Sequence, residues 1–264
     1  MVTAQMRLDA DPPDRMVASM EHGATRRAVG CGTFLAVLVG ASLGLAAGKP
    51  GYPTQIAWSG RTWQVKSSQS KVGPGPNYFS ASPENVWVDP SGALHLRLTL
   101  RNGRWNCAEV IGTQTLGYGT YVFEIASPVA DLDPNVVLGL FTWSDKAPSA
   151  HREVDVEFAR WGNASDPTNA QYVVQPYDLA GHLHRLTQPS GATPTVHGFS
   201  WRRGQIDFAS SDLLGWDHDW TYAGSDVPQS RDERVRLNLW LFGGAAPANG
   251  QEVEVVVTRF TFTP

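Results

Sequence analysis

Glu153, Asp155 and Glu157 occupy alternate positions of HREVDVEF (residues 151–158), with Val154, Val156 and Phe158 between them. Side chains alternate faces along a β-strand, so the segment sets three carboxyl groups on one face and three apolar groups on the other. Crowded carboxyls repel, and an ionised one raises the pKa of its neighbour. Glycosidic bond cleavage needs two carboxyl groups in different protonation states. One is an anion that attacks or activates water; the other is an acid that protonates the leaving oxygen. The octapeptide alone therefore has two readings, a solvated strand face or a carboxylate catalytic site. The spacing permits the second without requiring it. Residues i and i+4 of a strand lie about 13 Å apart at Cα, whereas a retaining pair brings its carboxyls to about 5–5.5 Å. Both glutamates would have to lean inward.

The elements around this segment read as strands and turns. ALHLRLTL (93–100) alternates strictly, with Leu94, Leu96, Leu98 and Leu100 on one face. GTYVFEIAS (119–127) sets Tyr121, Phe123 and Ile125 against Val122 and Glu124, and NVVLGLFTW (135–143) is a nearly continuous apolar run, as in a strand buried on both faces. QYVVQ (171–175), GQIDF (204–208), RVRLNLWL (234–241) and QEVEVVVTRFTF (251–262) add further strands, separated by turn clusters such as GPGPN (73–77) and RNGR (101–104). SSDLLGW (210–216) is expected to make at most one helical turn. Many short strands, regular turns and no internal repeat predict an all-β chain: an antiparallel β-sandwich or jelly roll of two packed sheets. The carboxylates would lie on the concave face of one sheet, in a substrate cleft. Residues 49–264 are expected to form a single domain.

Residues 33–47, TFLAVLVGASLGLAA, follow Arg26 and Arg27 and precede Gly48-Lys49-Pro50. That is the pattern of a secretory signal peptide, with cleavage after Ala46 or Gly48. The run is shorter than the ~20 residues of a membrane span, so a secreted or cell-envelope protein without stable membrane insertion is expected. Residues 1–48 hold equal numbers of acids and bases, so the mature part keeps the whole net charge of −4. With 17% charged residues, the chain carries no electrostatic footprint for nucleic acid. Cys107 is the one cysteine after the apolar run; no internal disulfide is expected, and a small buried hydrophobe is its natural role.

The strand segments together resemble a known family. Glu153-Val-Asp-Val-Glu-Phe158 is similar to the E-[IV]-D-[IV]-E-F signature of glycoside hydrolase family 16, jelly-roll enzymes acting on β-glucans and galactans. Ala108-Glu109-Val110, Gly117 to Tyr121, Val137 to Trp143, His197-Gly198-Phe199 with Trp201 and Ile206, and Leu237 to Trp240 resemble the family's other strands in order and spacing. Two features depart from it. No Asp-Gly turn follows Ile206, and His151-Arg152 stands where many members have a Trp or an acid. The short E-x-D-x-E form is closer to the lichenase and xyloglucan-active members. The resemblance implies a retaining hydrolase acting on a polysaccharide. Glu153 would be the nucleophile, Glu157 the acid and base, and Asp155 the partner that manages the proton on Glu153. A transglycosylase, or a lectin-like sandwich that binds without cleaving, are the alternatives.

Trp143 and Trp161 bracket the acidic strand and could stack on sugars or pack in the core. Tyr118 could reach the cleft rim, Asn77 could sit in a loop at one cleft end, and Gln175 could hydrogen-bond a sugar. His151 could modulate the acids or stand on the rim. His182 and His184 share a strand face, but neither they nor His197 belong to a ligand motif, so no catalytic metal and no cofactor are expected. A structural calcium stays open, and a monomer is expected.

Overall fold

The computed structural model describes residues 51–264; the apolar run at 33–47 lies outside the described residues. Two eight-stranded sheets face each other, with antiparallel pairing throughout the ladders. The first runs, in spatial order, β1 (Gly51–Trp58), β2 (Arg61–Ser67), β6 (Ala108–Gly112), β15 (Arg234–Leu241), β8 (Val136–Trp143), β9 (Val154–Phe158), β10 (Ala170–Val174) and β11 (Leu183–Leu186). The second runs β14 (Asp217–Ala223), β13 (Gln205–Asp212), β12 (Thr195–Arg202), β7 (Gly119–Ile125), β16 (Val253–Thr263), β4 (Leu94–Arg101) and β3 (Val86–Val88), with β5 (Arg104–Asn106) paired to β4. Sequence neighbours are often not sheet neighbours, as in a jelly roll. Helical structure among the described residues is limited to two short 3-10 turns, and none of it is long and apolar enough to cross a membrane.

The alternation read from sequence sets which face is buried. Leu94, Leu96 and Leu98 of β4 and Tyr121, Phe123 and Ile125 of β7 meet Val154, Val156 and Phe158 of β9 in one hydrophobic core. Each fully buried side chain of this size contributes about 1.5–3 kcal/mol. Leu100, by contrast, is exposed at the end of β4. Cys107 is buried, and burial pushes its thiol pKa up to about 12, which leaves it inert. His197 is a core histidine: its ring nitrogens bond Thr195 Oγ1 and Ser210 Oγ at 2.8 Å each, and burial lowers its pKa to about 3. SSDLLGW makes no helical turn. Ser210–Asp212 end β13, and the Asp212 carboxylate accepts the N–H groups of Leu214 and Trp216 to close a hairpin into β14.

The face of the first sheet turned away from this core carries the polar residues. Pairing registers set them in rows across the strands. One row is Glu109, Asn238, Gly139, Glu157, Gln171 and Arg185. The next is Ile111, Arg236, Phe141, Asp155, Val173 and Leu183. Ile111 and Val173 are fully buried here, on the side opposite the second sheet, so this face is covered too.

Candidate active site

Asp155 is 2% exposed and Glu157 7% exposed, and β9 is buried on both faces. A solvated strand face is ruled out. Glu153 immediately precedes β9, and its carbonyl accepts the N–H of Gln175 at 3.1 Å, which continues the β9–β10 ladder past its formal end. The three carboxyls act on one another. Burial is the main reason that Glu153 is pushed up to about 8, and the charge of Glu157 adds to it. A hydrogen bond from Asp155 and the charge of Arg236 pull the other way. Burial pushes Glu157 up to about 7, opposed by Gln171 and Arg185. Asp155 is raised well above the carboxylate range, first by burial and then by the charges of Glu153 and Glu157. The hydrogen bond between Asp155 and Glu153 works in one sense: it favours the proton on Asp155 and the charge on Glu153.

Amides rather than cations hold the acids directly. Gln171 Nε2 donates to Glu157 Oε2 at 2.6 Å, and Gln175 Nε2 donates to Asp155 Oδ2 at 3.3 Å. Gln171 is itself fixed, because its Oε1 accepts Trp161 Nε1–H at 3.2 Å and Arg185 Nη1–H at 3.1 Å. Trp161 therefore reaches the acids only through Gln171. Its ring packs edge-on against Phe242, 5.5 Å away, in the core.

The connection from β8 to β9 delivers Glu153. Ala150, His151 and Arg152 all have positive φ, at 48°, 45° and 52°, which costs a non-glycine residue about 1 kcal/mol or more each. Hydrogen bonds hold this left-handed turn. Ser144 N–H donates to His151 O, Glu153 N–H to Ala150 O, and Thr142 Oγ1–H to Arg152 O. The His151 ring lies flat on Trp143, centroids 3.7 Å apart and planes 9° apart, and its Nδ1 donates to Ser144 O at 3.0 Å. That bond fixes the tautomer and leaves Nε2 as an acceptor. Trp143 stands two residues beyond Phe141, the partner of Asp155, and so faces the same side as the acids.

The remaining sequence-predicted residues divide. Gln175 joins the cluster. Tyr118 packs edge-on against Trp201 of the second sheet and belongs with the core. Asn77 is buried, and its amide donates to Pro74 O and Leu241 O at 2.8 Å each, which pins the GPGP turn to the end of β15. The structure brings neither to the acids.

Sequence reasoning missed the charged chain beside the acids. Lys66 Nζ bonds Glu109 at 2.8 Å, Glu109 also meets Arg236 at 3.3 Å, and Arg236 donates to both Asp145 oxygens at 2.8 Å. Its guanidinium lies over the Trp143 ring, 5.7 Å from the centroid. Asn238 lies in the same row as Glu109 and Glu157, with its buried Oδ1 unpartnered. A Cβ on Gly139, between Asn238 and Glu157, would stand 2.6 Å from Asn238 Oδ1 and would displace that amide. Alternation in RVRLNLWL and QYVVQ was the available signal, for it puts Arg236 with Asn238 and Gln171 with Gln175. Among the described residues no three His, Cys, Asp or Glu side chains group to hold a metal ion.

No family model and no curated protein sequence matches the chain. Solved structures do. A Bacillus licheniformis β-glucanase superposes with a TM-score of 0.61 at 20% identity, covering 83% of this chain and all of that one. A β-1,3-1,4-glucanase (lichenase) derived from a mouse hindgut metagenome gives 0.60 at 17%, covering 79% and 95%. An immunostimulatory antigen and pseudo β-1,3-glucanase of Mycobacterium tuberculosis gives 0.58 at 21%, covering 76% and 91%. At this identity the likeness establishes the fold. The chain has the jelly-roll sandwich of these proteins, in agreement with the resemblance carried by its strands.

Proposed function

We propose that the protein is an exported endo-acting β-glycan hydrolase that works by retaining double displacement. One observation carries the reading: three interacting carboxyls are buried together, and all three are raised above the ordinary carboxylate range. Buried acids that served only stability would be paired with cations. The glucanase neighbours support the same substrate class.

The three acids titrate as a set. The competent form has Glu153 ionised, Asp155 protonated and donating to it, and the remaining proton on Glu157. Glu153 attacks the anomeric carbon while Glu157 protonates the leaving oxygen, giving a glycosyl-enzyme ester. Glu157, now a base, takes a proton from water as the water displaces Glu153. Asp155 eases both halves: its hydrogen bond favours the anion that leaves as well as the anion that attacks. Gln171 stabilises ionised Glu157 between the two steps. Replacement of water by a second sugar would make the same site a transglycosylase. Export rests on the apolar run at 33–47, and the only partner required is the polysaccharide.

A second reading, a sandwich that binds glycans without cleaving them, draws on the Trp143 face. His151 already covers one side of that ring, and a pseudo-glucanase is among the neighbours. Incubation of residues 49–264 with mixed-linkage β-glucan, laminarin, xyloglucan and sulfated galactans, assayed for new reducing ends, separates the two. Cleavage of at least one supports hydrolysis; binding with no cleavage across the panel supports the lectin-like reading.

A further inference from the structure

The oxygen and nitrogen of a glutamine amide have nearly the same shape, so its neighbours decide which way round the group sits. At Gln171 two neighbours give the same answer. Trp161 Nε1–H and Arg185 Nη1–H reach one amide atom at 3.2 and 3.1 Å, and both groups can only donate. That atom is therefore the oxygen, Oε1. Nε2 is left facing Glu157 Oε2 at 2.6 Å, where it can only donate.

The two donors arrive by different routes. Arg185 stands beside Gln171 in the β10–β11 ladder, as Gln171 stands beside Glu157 in the β9–β10 ladder. The rest of its guanidinium is held as well. Nε donates to Thr168 Oγ1 and Nη2 to Asp166 Oδ2, at 2.8 Å each, and Ala159 O accepts from both Nη atoms at 3.2 Å. Trp161 comes from the turn after β9. Its φ of 52° is a conformation that bulky residues seldom take. Its buried indole N–H has Gln171 as its one hydrogen-bond partner among the described residues.

The consequence falls on Glu157. A protonated carboxyl has one carbonyl oxygen, the better acceptor, and one hydroxyl oxygen. The short bond from Gln171 makes Oε2 the acceptor and leaves the proton to Oε1. Oε1 has no hydrogen-bond partner among the described residues and is not sealed from solvent, so it is the oxygen open to the cleft. Gly139, the ladder partner of Glu157 on the other side, has no side chain to compete for it. We infer that Trp161 and Arg185 are positioning residues for the proton transfer: by fixing the Gln171 amide they make Glu157 Oε1, and not Oε2, the oxygen that exchanges the proton. This deepens the retaining-hydrolase reading and rests on it. In the first step the O–H bond on Oε1 breaks as the leaving oxygen takes the proton. In the second, a proton from water returns to Oε1. Gln171 donates to Oε2 throughout, so the amide never has to turn.

Neutron diffraction on wild-type crystals exchanged into D2O, at a pH below the value of about 7 to which Glu157 is raised, reads the atoms directly. The expected map has both amide deuterons on the Gln171 atom that faces Glu157, and the carboxyl deuteron on Oε1. A deuteron on Oε2, or an amide turned toward Trp161, overturns the inference. That map is obtained whether or not any glycan is cleaved, so its failure is distinct from failure of the hydrolase reading on the polysaccharide panel. Kinetics on a cleaved polysaccharide give a second arm. Trp161→Phe keeps an aromatic ring and removes the N–H. It is expected to lower kcat by about twofold or more with KM unchanged, and to move the basic limb of the profile to higher pH. In a Gln171→Leu background the two changes together are expected to cost no more than Gln171→Leu alone, since no amide is left to hold. Equal losses in both backgrounds would make Trp161 a support of the fold only and overturn its positioning role.

Discussion

Two groups of carboxylates lie along the first sheet, and they are handled in opposite ways. On the β2–β6–β15 side, Glu109 lies between Lys66 and Arg236, and Asp145 caps Arg236 and Arg234. Burial pushes the Asp145 pKa up, but the two arginines outweigh it and hold the group below the ordinary range. On the β8–β9–β10 side, Glu153, Asp155 and Glu157 face amides and one another, and all three are raised. Glu109 is as deeply buried as Asp155 and Glu157, whereas Asp145 is exposed, so burial alone does not separate the two groups. The nearest partner does. A cation locks a carboxylate in one charge state; amides and like charges leave it poised to exchange a proton near neutral pH.

The difference can be broken at either end. On the proposed reading, Glu153→Gln and Glu157→Gln have the largest effect: each is expected to lower hydrolysis by about 10²–10⁴-fold or more while far-UV circular dichroism stays unchanged. Near wild-type turnover in either variant would remove the assignment. Arg236→Met attacks the other group. Breaking a buried ion pair costs about 3–5 kcal/mol, and with Lys66 still on Glu109 the lower end is expected in urea unfolding. The same variant loses the charge that favours ionised Glu153, so the acid limb of its activity profile is expected to move to higher pH.

Stability should follow pH in the sense set by the raised acids. Glu153 and Glu157 hold their protons to about 8 and 7 in the folded chain, whereas 4.5 is the ordinary glutamate value. Between these values the unfolded chain is ionised and the folded one is not. Their contribution is complete below about 4.5 and is lost as pH rises through 7 to 8. Urea midpoints measured across this window should fall less with pH in a Glu153→Gln, Glu157→Gln double variant than in wild type. The smallest effect is expected from Gln171→Leu. Loss of its 2.6 Å hydrogen bond to Glu157 removes a stabiliser of the anion, so the basic limb of activity should move to higher pH.

Much of this was legible in the sequence. The period-two pattern placed Val154, Val156 and Phe158 in the core and their acidic neighbours on the other face, and the turn clusters divided the strands. Burial on the far side of the sheet was not legible, because alternation reports which side a residue faces and not whether that side is covered. Arg236 and Lys66 were missed for the same reason: a charged residue in a strand ordinarily faces water. Asn77 and Tyr118 were drawn toward the cleft by the turns they sit in, yet one bonds backbone carbonyls and the other packs on Trp201. No local pattern reports which distant partner a side chain meets. The left-handed turn at Ala150–Arg152 was equally hidden, for none of its residues is a glycine.

The most direct test of the central claim follows the stereochemistry of cleavage. Residues 49–264 are mixed with the polysaccharide that the panel identifies, and the anomeric protons of the products are followed by NMR from the first minutes. The expected result is a β-anomer that forms first and then equilibrates with the α-anomer, with no product from Glu153→Gln. An α-anomer first, or cleavage that persists without Glu153, would contradict a double displacement on this strand.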